Sequence, residues 1–223
     1  PPTMASATAS TLVDPHALRL DDARALLEHG GDSARLPRPG DSPTAYLQAV
    51  IDALCELSLK DPLTGLANRR HFRAVLERAI DVVARSGESA LLLMLDIDHF
   101  KKINDTHGHH IGDQVLRLLA SVLKQSVKGQ DTPARYGGEE FAVVLPQTVL
   151  ENAVKLAEAI RLRVARRSVV NRATSQRLGS FTVSIGAAEF VPGEPLRQFV
   201  ERADRALFEA KRAGRNRWAM AKD

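Results

Sequence analysis

The sequence predicts an α+β fold, an α/β sandwich built on a β-α-β-β-α-β core, and three observations carry that expectation. Residues 90–95 are apolar throughout and run into Asp96, the pattern of a strand buried on both faces. Gly137–Gly138 separates two short strand-like stretches, residues 134–136 and 141–145, which predicts a hairpin in which both glycines accept positive φ. Around these stand four stretches with the spacing of amphipathic helices. The order is helix, strand, helix, strand–turn–strand, helix, strand, helix, read as a split βαβ sheet with helices on one face.

Taken in order, residues 1–13 are small and polar and are expected to be disordered. A short helix is expected at 20–29, closed by Gly30–Gly31. Pro37, Pro39, Gly40 and Pro43 then read as a linker, so residues 1–43 form an N-terminal segment. A helix follows at 44–60, where Leu47, Val50, Leu54 and Leu57 have coiled-coil seam spacing. Two heptads leave two readings open, a dimerisation stalk or a helix docked on its own chain. From residue 61 to 223 the pattern is that of one domain. Phe72, Val75, Leu76, Ala79 and Val83 mark its first helix, and Leu116, Leu119 and Leu123 a second, begun near Gly112–Asp113. Ala153, Leu156, Ala157, Ile160 and Val164 mark a third. Residues 180–190 are strand-like, and Leu196, Phe199, Val200, Ala203, Leu207 and Ala210 give a last helix that Gly214 stops.

Composition narrows the class. Of 223 residues, 44% are hydrophobic and 26% charged, the balance of a globular domain. No apolar run approaches the roughly 20 residues that span a bilayer, so no membrane contact is expected within the chain. The chain opens on Pro1–Pro2 and reads as a fragment, compatible with a signal or membrane segment upstream. Cys55 is the only cysteine, which precludes an internal disulfide and points to a reducing cytoplasm. The net charge of +4 gathers in residues 161–177 and the C-terminal tail. No aromatic side chains interleave with those arginines, which argues against nucleic acid, while basic residues also suit a nucleoside triphosphate.

The acidic residues carry the chemistry. Asp96 and Asp98 close the buried strand, a costly place for carboxylates unless a cation or hydrogen bonds compensate them. They either cap the following turn or hold metal. Glu139 and Glu140 stand just past the hairpin turn, and strand alternation puts at least one of them on the Asp96 side. Oxygen ligands supplied sparsely by protein and completed by phosphate are how Mg²⁺ is usually held. His107, His109 and His110 cluster, but no cysteine or second ligand pair accompanies them, which argues against zinc.

The motifs together resemble a known family. Arg135–Tyr136–Gly137–Gly138–Glu139–Glu140–Phe141 resembles the signature hairpin of GGDEF-type diguanylate cyclase domains, in its Gly-Gly-Glu-Glu-Phe form. The opening stretch, residues 61–70, resembles that family's first segment. Residues 96–105 and 108–113 resemble its metal and substrate segments, and residues 182–186 and 211–216 its closing ones. With residues 96–113 taken as one, five segments match in order over about 160 residues. The resemblance implies a ferredoxin-like core akin to nucleotide cyclase and polymerase-palm catalytic domains. It implies the condensation of two GTP into cyclic di-GMP and two pyrophosphates, at the interface of two antiparallel domains of a homodimer, with Mg²⁺ or Mn²⁺.

Residue by residue, the resemblance makes Asp96, the Ile97 carbonyl and Glu139 metal ligands. Glu139 also helps to activate the 3′-hydroxyl, and Glu140 joins the metal shell or stabilises the transition state. Asn104 and Asp113 become guanine readers; a carboxylate accepts from the N1–H and N2–H₂ edge that adenine lacks. Asp113 alternatively serves as an acid at a helix N-terminus. Lys211 and Arg215 become triphosphate contacts, or cations at a helix C-terminus. The Phe100–Lys101 backbone would offer amides to phosphate. Arg135 and Tyr136 are expected to be hairpin scaffold. The inhibitory product site departs from the family's Arg-x-x-Asp: here it is Lys128–Gly129–Gln130–Asp131, and Ala159 stands where a helix arginine is expected. Lysine lacks arginine's planar fork, so weak feedback inhibition is expected. Two rivals remain: a catalytically silent module that binds GTP or cyclic di-GMP, and a metal-dependent nucleotide enzyme with another product.

Overall fold

The computed structural model describes Leu20, Ala23, residues 43–170 and residues 177–222. The disorder expected at 1–13 lies outside the described residues, as do the 20–29 helix and the 30–43 linker apart from Leu20, Ala23 and Pro43. The chain divides into two compact units, Pro1–Ser58 and Leu59–Asp223. Among the described residues no helix is long and apolar enough to cross a membrane.

In the first unit, α1 spans Pro43–Leu59. It buries Tyr46, Val50 and Ala53, with Leu20, Ala23 and Leu54 packed against them. The expected seam is therefore split: Val50 is buried inside the chain, whereas Leu57 is 43% exposed and the neighbouring Ile51 52% exposed.

The second unit is an α+β sandwich. Its elements are α2 (Arg69–Ser86), β1 (Ala90–Ile97), α3 (Phe100–His107), α4 (His109–Ser126), β2 (Thr132–Arg135), β3 (Glu140–Pro146), α5 (Leu150–Ala165), β4 (Ser168–Val170), β5 (Arg177–Ser180), β6 (Val183–Glu189), α6 (Leu196–Arg212) and β7 (Trp218–Met220). The main sheet runs β2-β3-β1-β6-β7, antiparallel except for the β6–β7 pair, and β4–β5 forms a separate hairpin. β1 pairs on both sides, and all eight of its residues are buried. That burial is why the run is apolar, each leucine contributing about 2 kcal/mol. Pro133, which cannot donate to a ladder, lies in the edge strand β2.

The two crossover helices, α4 and α5, lie on one face as expected. Leu91, Leu93 and Leu95 of β1 meet Leu119 of α4 and Ile160 of α5 there. The opposite face is covered too, which corrects the one-sided expectation: Leu92 and Met94 pack with Phe72 and Leu76 of α2 and with Phe199 and Leu207 of α6. Strand period two sends alternate β1 residues to the two layers. At β6 the approach of α6 is so close that a Cβ on Gly186 would run into the backbone of Ala203 and Leu207.

Candidate functional site

The site is built where β1 and α6 end and β3 begins. Asp96 is the cross-strand partner of Glu140 on β3 and of Ser184 on β6. Facing partners of an antiparallel ladder project to one side, so Glu140 is the hairpin acid that shares the Asp96 face. Glu139 precedes it in the turn. Lys211, in the last turn of α6, places Nζ 2.8 Å from Asp96 Oδ2, and the Asp96 side chain is only 7% exposed.

The electrostatics are those of crowded anions. Burial, more than any other cause, raises the Asp96 carboxyl above the ordinary range, against the lowering by Lys211. Burial and then Asp96 raise Glu139. Burial, then Asp204 and Asp96, raise Glu140. Like charges held together out of water favour whatever brings positive charge, whether a proton, an ammonium or a metal ion. All three donors are hard oxygens, the set that suits Mg²⁺ or Mn²⁺, with Lys211 in the position of a counter-ion. Among the described residues no group of three or more acids, histidines or cysteines is already gathered around a metal position. The three histidines expected not to bind zinc are exposed.

The hairpin turn is shaped differently from expectation. Neither Gly137 nor Gly138 takes positive φ. A Cβ on Gly137 would press on the Glu140 carboxylate, so a side chain there would push that acid out of its present position. The amides of Tyr136 and Gly137 both donate to the Glu140 carbonyl, at 2.8 and 3.1 Å. Arg135 fastens the turn: Nη2 donates to the Gly138 carbonyl at 2.7 Å, and Nη1 to both Asp61 oxygens at 3.3 and 3.1 Å. Asp61 in turn accepts from the Thr64 amide and hydroxyl, so the opening segment serves as a buttress for the hairpin. Tyr136 packs edge-on against Phe72 and lies under Arg69.

Asn104 projects from α3 towards α4. Its Oδ1 is buried with no hydrogen-bond partner in the protein, so the acceptor is open to a donor from outside the chain, be it water or a ligand. Gly112 makes the room, for a Cβ there would collide with that oxygen. The α4 helix begins at His109, earlier than expected, so Asp113 lies beyond its first turn and the helix-terminus reading of that residue loses its basis. Phe100 and Lys101 open α3, so their amides stand at a helix N-terminus. A crevice of about 400 Å³ on the other flank of α3, lined by His99, Lys102, Ile103, Thr106 and Phe181 among others, contains none of the expected metal or substrate residues. Lys128 and Asp131 close a small turn, the Asp131 carboxylate accepting from the Lys128 amide at 3.0 Å.

With this geometry in view, residues 58–217 match the family model described as the diguanylate cyclase GGDEF domain. The chain belongs to the GGDEF-domain family. It is 42% identical over 174 residues to the response regulator PleD of Caulobacter vibrioides, covering 78% of this chain and 38% of that protein. It is likewise 42% identical over 160 residues to the diguanylate cyclase VdcA of Vibrio cholerae, covering 72% and 46%. The chain thus spans less than half the length of these curated relatives. Among solved structures it is similar to the coiled coil and GGDEF domain of DgcB from Caulobacter crescentus, in complex with c-di-GMP. There the TM-score is 0.76 at 38% identity, covering 93% of this chain and all of that one. The active GGEEF domain of a Vibrio cholerae diguanylate cyclase gives a TM-score of 0.65 at 34% identity, covering 71% and 99%. Within this GGDEF domain the sequence reading missed how Asp61, Gly112 and Asp98 work; Asp61 and Gly112 stood inside the matched segments, where their residue types alone carried no signal of role.

Proposed function

We propose that this chain is a diguanylate cyclase that condenses two GTP into cyclic di-GMP and two pyrophosphates. The observation that carries the proposal is the convergence of Asp96, Glu139 and Glu140 beside Lys211 at one end of the sheet. Asp96, the Ile97 carbonyl, Glu139 and Glu140 would hold Mg²⁺ or Mn²⁺, which would neutralise the α-phosphate and ease ionisation of the attacking hydroxyl. Glu139 is positioned in the turn to accept the 3′-hydroxyl proton. Asn104 and Asp113 read guanine; the orphaned Oδ1 of Asn104 supports this, since a base lacking the matching donor leaves it unpaired. Lys211, Arg215 and the Phe100–Lys101 amides bind the triphosphate, with Gly137 and Gly138 allowing its close approach.

Each domain holds one GTP, and the 3′-hydroxyl of each attacks the α-phosphate of the other. Two antiparallel domains therefore make one active centre, and a homodimer is required. The exposed Ile51 and Leu57 on α1 favour a helix that pairs with a second copy, in keeping with the coiled coil of the DgcB fragment. Lys128, Asp131 and Ala159 support weak product inhibition. A silent GTP- or cyclic di-GMP-binding module is disfavoured because both hairpin acids are present. Incubation with GTP and Mg²⁺, with products separated by chromatography and identified by mass, tests the proposal beside Glu139→Gln. Cyclic di-GMP from the parent alone supports it; no product at any protein concentration, with GTP still bound, defeats it.

A further inference from the structure

We infer that Asp98, which the proposed chemistry does not use, is a positioning residue that holds the turn after α6 so that Arg215 faces the Asp96 site. Asp98 is 4% exposed, and its carboxylate is largely spoken for. It accepts from the Thr182 hydroxyl at 2.6 Å, the Ser184 hydroxyl at 2.7 Å and the Asn216 amide at 3.0 Å. Three of roughly four acceptor directions are thus taken, which leaves Asp96 rather than Asp98 to hold a cation.

The Asn216 contact matters most because of the backbone it secures. Arg215 and Asn216 have φ of 61° and 46°, and Gly214 before them has φ of 112°. Two consecutive non-glycine residues in the left-handed region relax unless the surroundings fix them. Two groups do so: the buried Asp98 carboxylate on the Asn216 amide, and Arg161, whose Nη1 donates to Asn216 Oδ1 at 3.0 Å. The Arg215 amide closes on the Ala210 carbonyl at 3.1 Å, so the turn continues directly from the helix that carries Lys211. A charge-assisted bond from the end of β1 thereby sets the direction of a cation whose charge is felt at Asp96.

The inference rests on reading Arg215 as a triphosphate contact, and a double-mutant cycle tests it. Asp98→Asn should raise KM for GTP at least tenfold with a smaller change in kcat, and leave Mn²⁺ binding without nucleotide within twofold by calorimetry. In an Arg215→Ala background the same substitution should add less than twofold. Effects that multiply in the double variant, or a loss of Mn²⁺ binding, overturn it. Arg161→Ala, which frees the turn from its outer side, gives the same non-additivity if Asp98→Asn does not fold. Amide exchange separates the two readings. Arg215→Ala with unchanged KM sinks the triphosphate reading, whereas an Asn216 amide as protected in Asp98→Asn as in the parent sinks the anchoring.

Discussion

Asp96 on β1 and Glu140 on β3 stand directly opposite each other in the antiparallel ladder, two carboxylates where a sheet ordinarily places complementary partners. The opposition is a local defect in the metal-free fold, and Lys211 relieves only part of it.

Glu140→Gln should therefore stabilise the metal-free protein while disabling it. Burial, then Asp204 and Asp96, hold the Glu140 carboxyl above its ordinary value. A carboxyl raised on folding binds its proton more tightly in the folded state, so stability falls as pH rises from the ordinary value through the raised one. Because Glu140 is only partly buried and water screens the repulsion, the amide variant should gain no more than about 0.5 kcal/mol above that window, and below it nothing. Product formation should drop by about 100-fold or more. Urea denaturation in chelator near pH 8 and near pH 4, beside product assays, reads both effects. A variant less stable than the parent near pH 8 contradicts the argument.

Arg135→Lys should loosen the hairpin although charge is conserved. The guanidinium spans Asp61 and the Gly138 carbonyl at once, and an ammonium cannot hold both in that planar geometry. The loss should be about 2 kcal/mol of stability, with turnover reduced more than KM is raised. Thermal unfolding and initial rates measure it; a variant matching the parent in both would show that the clamp is idle.

The fold was legible because its strongest element speaks in one register. Residues 90–95 have the length and the unbroken apolar run of a strand buried on both faces, and Asp96 at its end is an acid inside the fold, which is what draws attention to it. The hairpin was legible in position but not in shape. Glycine pairs suggest positive φ, yet neither glycine takes it, and Gly137 instead faces the Glu140 carboxylate, an approach that only the folded turn creates. The second helical layer was misassigned because the periodicity of α2 and α6 shows that each has one buried face, not which face of the sheet receives it. Asp98 looked like a partner of Asp96; its true partners, Thr182, Ser184 and Asn216, lie more than 80 residues away in sequence.

Gly112→Ala separates helix stability from substrate recognition. Alanine within α4 should favour the helix by about 1 kcal/mol. Its Cβ, however, would displace the Asn104 amide from the buried position where Oδ1 lies unpaired. The expected result is a near-neutral thermal midpoint with KM for GTP raised tenfold or more and discrimination against ATP reduced. An unchanged KM would remove Asn104 from guanine recognition.

Product inhibition should be weak and partly repairable. Lys128 is exposed and contributes its amide, not its side chain, to the Asp131 turn. Micromolar cyclic di-GMP should leave initial rates within twofold. Lys128→Arg together with Ala159→Arg should introduce inhibition by supplying two planar forks. Strong inhibition of the parent chain would show that a lysine point charge suffices there.

The last prediction concerns α1. Its buried face, Tyr46, Val50 and Ala53 with Leu54 packed beside them, is engaged within the chain, whereas Leu57 and Ile51 stand exposed. If that outer face pairs with a second copy, Ile51→Glu with Leu57→Glu introduces charge where apolar surface should meet its like, and assembly weakens. Because two half-sites make one centre, turnover per chain should then fall steeply as protein is diluted, and be recovered at high concentration. Light scattering and rates followed over the same dilution series test this directly. Mass and rate unchanged by the substitutions at every concentration would place α1 outside the dimer contact.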